Sequence, residues 1–361
     1  VNDIIAKYPE YQTLLDDYVA QQTGTKPSSY AQASSEFLAF TPAQQRPLLL
    51  NVFFDDLKTT GRDANASASA GFGRGYDAIN ALFPGSGAGE TGQPPSPYLG
   101  DISLAFSRIY TVAGGNISIL TPGGLVDVGL AFPPTNANPK LPSQLGIVAQ
   151  GSGDVDIFSQ NDVRVNASRV FTLGGGNILI WSTLGNIDAG RGAKSAVSAP
   201  PPVVTLDPVT GVVTVSFTGA VAGSGIRTII SGDDIAPGDV DLIAPVGFVN
   251  AGDAGIGSSG NLNIAAKQVV GVDNIQVGGT ATGVPPPTSG IAATLSSASS
   301  AANSATTASS AVSSEESANK DVASASQAAM SWLDVFLVGL GEDNCSPEDQ
   351  QCLERQKSST K

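Results

Sequence analysis

The chain has 361 residues, 32 acidic against 18 basic, a formal net charge of −14 and no histidine. That length allows one long repetitive domain or two smaller ones with a sizeable core, and the acidity repels nucleic acid and anionic lipid, so no nucleic-acid partner is expected. Without imidazole the commonest general base and metal ligand are missing, and with them every Ser-His or Cys-His arrangement.

Residue 1 is Val, and no charged n-region leads into an apolar stretch, so the N-terminus is expected to be cut from a longer chain. No apolar run approaches the roughly 20 residues of a membrane-spanning helix. Residues 1–83 read as a helical subdomain. Ile4, Ile5, Tyr8, Tyr11, Leu14, Leu15, Tyr18 and Val19 recur at three and four. Thr41-Pro42-Ala43-Gln44 supplies an N-cap, a proline at the first helical position and a glutamine at the third. The helix it starts is expected to hold Pro47 in its early turns and to stop near Gly61. A third, short helix is expected over 76–83 (YDAINALF). Residues 84–97 have linker chemistry, and GSGAGETG lacks the Lys and following hydroxyl of a phosphate loop.

From Gly100 the phrase Gly-[Asp/Asn]-apolar-x-apolar keeps returning: GDISL (100–104), GNISI (115–119), GDVDI (153–157), GNILI (176–180), GDVDL (238–242) and GNLNI (260–264). Three copies extend without a gap over 115–129, 176–190 and 238–252, each with glycine at its first, tenth and fifteenth positions. Adjacent copies, Gly153 to Gly176 and Gly238 to Gly260, are spaced by 23 and 22 residues. A period near 22 with short alternating strands suits a coil of a parallel β-helix. The fold expected is therefore mainly β: a right-handed parallel β-helix over 98–280, with structural corners at Gly115, Gly153, Gly176, Gly238 and Gly260, where the permissive φ of glycine turns the chain. Seven or eight coils are expected, a rod of roughly 35–40 Å at the usual strand spacing, with loops thrown out at 133–144 and 198–211. A β-sandwich is the competing architecture, but it offers no reason for an ungapped fifteen-residue recurrence.

Residues 281–330 are a Ser/Ala-rich tether with too little apolar bulk for a core. The final segment, 331–361, opens on an apolar patch, Trp332, Leu333, Val335, Phe336 and Leu337, too short to span a bilayer and expected to dock on something.

Parallel β-helices also carry polysaccharide lyases and hydrolases, whose sites need converging carboxylates. Here Asp101, Asp154 and Asp239 exchange with Asn116, Asn177 and Asn261, and Asp127 and Asp188 with Asn250. Both side chains accept a backbone hydrogen bond and only one is a base, so the pattern indicates turn capping. No enzyme activity, cofactor or metal is expected. Arg191 and Arg227, the basic residues nearest the repeats and the candidates for meeting acidic sugars, are expected as solvated pairs with nearby Asp, and Trp181 and Phe158 as residues stacked inside the coil.

The run VFTLGGGNILIWSTLGNIDAGRGAKSAVSAPPPVVTLDP, with SGIRTII, APGDVDLIAP, VNAGDAGIGSSGNLNIAAKQVVG and DNIQVGG, resembles the C-terminal region of filamentous-haemagglutinin-family exoproteins. QRPLLLNVFFDDLKTTGRDAN and WLDVFLVGLGEDNC share the resemblance, which covers most of the chain apart from the tether. It implies a large secreted adhesin of the two-partner system, a role in cell adhesion and biofilm, and export through an outer-membrane β-barrel transporter. It also implies display as a β-helix on a Gram-negative surface, where the wider exoprotein meets a host-cell, matrix or polysaccharide receptor. Some adhesins of this kind are held by a C-terminal cysteine loop. Cys345 and Cys352 are the chain's only cysteines, with Pro347 between them, and a local disulfide hook is the expectation. A tail with two free thiols is the plain alternative. A β-helical carbohydrate-active enzyme and a purely structural filament segment are the other functional readings.

Overall fold

A computed structural model describes residues 5, 7–67, 69–90, 96–130, 140, 144–192, 203–206, 213–216, 223–230 and 235–286. The chain divides into two units, Val1–Ala293 and Thr294–Lys361, and every described residue belongs to the first. The tether beyond 286, the docking residues Trp332, Leu333, Val335, Phe336 and Leu337, and Cys345 and Cys352 lie outside the described residues.

Among the described residues four full helices come first: α1 (Tyr11–Thr23), α2 (Tyr30–Ala39), α3 (Pro42–Ala66) and α4 (Gly73–Leu82). Helix α3 begins where its sequence says it should. Thr41 Oγ1 accepts from the Gln44 backbone N–H, and the Gln44 side chain accepts from the Thr41 N–H, a reciprocal cap that contributes about 1 kcal/mol. It does not stop at Gly61. The helix continues to Ala66 because Gly61 is buried against the sheet, where a Cβ would lie 2.5 Å from Ile243 Cδ1. Glycine here permits close approach and does not end the helix. Helix α2, capped by Ser29, was not anticipated: its apolar periodicity is reduced to Ala33 and Phe37 on the buried side.

The remaining strands form two parallel sheets and one hairpin. The smaller sheet has six strands, β2 (Arg108–Thr111), β5 (Gly146–Ala149), β8 (Arg169–Thr172), β13 (Gly225–Thr228), β15 (Ile256–Ser258) and β17 (Ile275–Val277), each pairing with the next. The larger sheet has ten. One run of it joins β3 (Ile117–Thr121), β6 (Val155–Ser159), β9 (Ile178–Ser182), β14 (Val240–Asn250), β16 (Leu262–Val270) and β18 (Ala281–Thr282). The other joins β1 (Ile102–Ser103), β4 (Val126–Asp127), β7 (Val163–Arg164) and β10 (Ile187–Asp188) to the far end of β14. Every pairing in both sheets is parallel.

Equivalent residues of successive repeats fall into columns. Ile117, Val155, Ile178, Val240 and Leu262 form one, Val126, Val163, Ile187 and Val249 a second, and Ile147, Val170, Ile226 and Ile256 a third. These columns make up the main apolar core, most of it fully buried.

Three expectations are corrected by the register. Ile102 pairs with Val126 and not with Ile117, so GDISL belongs to the second column and Gly100 aligns with Gly124 and Gly185. Both corners use the same Gly-Asx chemistry, and the local phrase does not tell them apart. Six strands deep replaces seven or eight coils, giving about 24 Å at the usual strand spacing. Within 198–211, expected as loop, residues 203–206 form β11 (Val203–Leu206), which pairs antiparallel with β12 (Val213–Ser216).

The helices cover the outer face of the β3–β6–β9–β14–β16 run. Phe53, Phe54, Leu57, Ala78 and Ile79 pack on Phe158, Leu179, Trp181, Ile243 and Ala265. Phe158 and Trp181 are fully buried as expected, but on the opposite face from the one anticipated: Ile157 and Ile180 point inward, and the aromatic neighbours meet the helices. Phe53 meets Phe158 edge-on at 5.4 Å, and Trp181 meets Tyr76 and Phe72 at 6.1 Å each. Burial of each such ring is worth about 2–3 kcal/mol.

Candidate functional site

The glycine corners stack on one another. A Cβ on Gly153 would lie 2.3 Å from the Gly115 carbonyl oxygen, one on Gly176 1.8 Å from that of Gly153, and one on Gly238 2.1 Å from that of Gly176. Gly260 sits against Asp239 Oδ1 and the Gly238 carbonyl. Of the five predicted corners only Gly115 has positive φ, at 100°. Gly153, Gly176, Gly238 and Gly260 are required for closeness between repeats and not for the left-handed region.

Beside each glycine is an Asp or Asn whose side chain reaches the next repeat. Asn116 Oδ1 accepts from the Asp154 N–H at 3.0 Å, Asp154 from Asn177 at 2.7 Å, Asn177 from Asp239 at 2.9 Å, Asp239 from Asn261 at 2.7 Å, and Asn261 from Thr280 at 3.0 Å. A second ladder runs along the other corner. Asp101 accepts from Leu125 N–H, Asp162 from Asn186 and Asn186 from Phe248. Asp101 is thus the counterpart of Asp162 and Asn186, not of Asn116. The exchange of acid for amide is explained, since each position needs only an acceptor. Its partner is the neighbouring repeat, whereas the capping of Asp188 and Asn250 is local: each accepts from the N–H two residues on, at Gly190 and Gly252. Asp127, in the same column, instead takes a two-point ion pair from Arg164 at 2.8 and 2.9 Å.

A groove of about 660 Å³ runs between α3 and the Asx ladder. Arg62 closes one end of it. Its Nε and Nη2 grip both oxygens of Asp241 at 2.9 and 2.8 Å, and Nη2 reaches Asp239 at 3.2 Å. Burial outweighs Arg62 at Asp241 and holds that carboxyl above its ordinary value. Further along, Asp156 faces Asp154 and Lys58 with no side-chain hydrogen bond among the described residues. Burial first, then the Asp154 charge, pushes its pKa up to about 7, against the pull of Lys58. The groove therefore holds two carboxyls with raised pKa, Asp156 and Asp241, with Ser118 on the strand beside Asp156. Among the described residues no group of three or more acidic or cysteine side chains stands close enough to hold a metal ion.

Of the two arginines singled out in the sequence, Arg191 is exposed as expected, while Arg227 is 3% exposed and therefore not solvated. Sequence reading missed Arg62, Asp156 and Asp241; Arg62 and Asp241 are 179 positions apart along the chain, which gives no local signal.

Parallel strands in register, stacked glycines and side-chain ladders define a repetitive β scaffold with a helical block laid on one face. The segment spanning β9 to β18, residues 175–286, matches the family model described as "Filamentous haemagglutinin family outer membrane protein", so the resemblance seen in the sequence is shown over that stretch. No curated protein and no solved structure matches the chain.

Proposed function

We propose that the chain is the C-terminal portion of a large secreted bacterial surface adhesin, a scaffold and anchor and not an enzyme. Its repeats wind as a right-handed parallel β-helix that forms the end of the stalk. The division is a helical subdomain over 1–83, a linker over 84–97, the repeats over 98–280, a tether over 281–330 and a docking segment with a cysteine hook over 331–361. The observation that carries this reading is the family match over 175–286, which falls on strands paired in parallel, repeat to repeat. The alternation of strands between the two sheets along the chain, and ladders that bond each repeat to the next, support the winding.

The anchor follows from the tail. Cys345 and Cys352 close a small disulfide loop in the oxidising periplasm, too bulky to pass the transporter pore, while the slim tether spans the outer membrane. Trp332, Leu333, Val335, Phe336 and Leu337 dock at the periplasmic mouth of the β-barrel. The protein is then secreted yet retained at the cell surface, where the wider exoprotein binds its receptor. Cys345→Ser in the complete exoprotein tests this by partitioning between cells and medium. Release into the medium is expected, and unchanged retention with normal export overturns the anchor.

A further inference from the structure

Helix α3 crosses the larger sheet with about one turn for each strand, because its pitch of about 5.4 Å nearly matches the strand spacing of about 4.8 Å. The outward column beneath it is Ser118, Asp156, Leu179, Asp241 and Asn263, one residue from each of β3, β6, β9, β14 and β16. Two of its polar members are held by α3. Asn65 donates to Asn263 Oδ1 at 2.8 Å, and Arg62 grips Asp241. Lys58 comes one turn before Arg62 and so about one strand nearer to β6. It lines the same groove as Asp156, yet its Nζ lies 2.9 Å from Asp55 on its own helix. The side chains of that pair are 39% and 37% exposed, so the pair is weak and readily exchanged.

The charged groups bordering the groove from α3 are Arg46, Asp55, Lys58 and Arg62, and from the sheet Asp154, Asp239 and Asp241. Arg62 is already taken by the last two. Burial first, then the Asp154 charge, favours the protonated form of Asp156, and Lys58 opposes them. We propose that Lys58 is a latch worked by pH: its ammonium stays on Asp55 while the Asp156 carboxyl carries a proton, and crosses the groove to Asp156 once that proton has passed to solvent. No covalent bond changes. Lys58 then repeats over β6 what Arg62 does over β14, a tie from helix to sheet, so the groove is open in acid and strapped above neutral pH. The device needs only this chain and is independent of surface display.

The test uses the 361-residue chain. Crystal structures at about pH 5 and about pH 8.5 are expected to show Lys58 Nζ on Asp55 in the first and within about 4 Å of an Asp156 oxygen in the second. Thermal melts supply the energetic counterpart. Lys58→Met is expected to lower the melting temperature by several degrees more at the higher pH than at the lower. In an Asp156→Asn background its cost is expected to be the same at both. Lys58 on Asp55 at both pH values overturns the latch, even with pH-dependent coupling, since the field of a fixed lysine would then account for it. A cost of Lys58→Met that is equal at both pH values in the parent background also overturns it, because the lysine would then serve Asp55 alone.

Discussion

The backbone N–H of Asn177 is bonded to Oδ1 of Asp154, 23 positions earlier in the chain, at 2.7 Å. One side chain thus ties a repeat to its neighbour at the point where a glycine lets the two backbones approach. The bond needs an acceptor and not a charge. Asp154→Asn is therefore expected to change stability by less than about 0.5 kcal/mol, and Asp154→Ala to lower it by about 1 kcal/mol. Urea unfolding of the two variants side by side checks the difference.

Gly238 and Gly115 occupy equivalent corners for different reasons. A Cβ on Gly238 would lie 2.1 Å from the Gly176 carbonyl oxygen, a backbone atom that has little room to yield. Gly115 has open space but φ of 100°. Gly238→Ala is expected to cost about 2–4 kcal/mol by overpacking, and Gly115→Ala about 1–2 kcal/mol by backbone strain. Equal midpoints in denaturant would refute the distinction.

Asp156 binds its proton more tightly in the fold than when unfolded, its pKa rising from 3.8 to about 7. A raised carboxyl pKa means that the folded state is favoured by protonation. Its penalty is absent below about pH 4, grows as pH rises, and is complete above about pH 7. Asp156→Asn is expected to match the parent protein near pH 4 and exceed it at pH 8, by on the order of 2–4 kcal/mol. Thermal melts across that range read the slope, and parallel curves would exclude the assignment.

The helical block has its own buried lock. Asp56, with no exposed surface, accepts from Arg74 Nε at 2.7 Å and from the Tyr11 hydroxyl at 2.8 Å, joining α1, α3 and α4. Asp56→Ala leaves Arg74 without its buried partner and is expected to cost about 3–5 kcal/mol. Tyr11→Phe, which removes one donor, is expected to cost about 1 kcal/mol. Circular dichroism through thermal unfolding separates the two.

Much of this was legible because the signals are local. Thr41, Pro42 and Gln44 form a cap from neighbouring residues alone, and the glycine spacing of 115–129, 176–190 and 238–252 marks equivalent corners whatever surrounds them. The exchange of Asp with Asn likewise states that only an acceptor is needed. Other features could not be read. GDISL carries the same phrase as GNISI yet belongs to another column, since backbone pairing between distant segments sets the register. Gly61 resembles a helix stop, but whether a glycine ends a helix or seats it depends on what lies opposite, here Ile243.

The sequence by itself determined the period, the corners, the helical start and the character of the core, because short-range sterics and side-chain chemistry decide these. Only the tertiary structure decided that Phe158 and Trp181 face the helices, that Arg62 grips Asp241, that Lys58 acts on Asp156, and that Arg227 is buried. An alternating strand has two faces, and which is covered, and by what, depends on contacts between residues far apart in the chain, where burial and Coulomb terms act through space and leave no trace in local spacing.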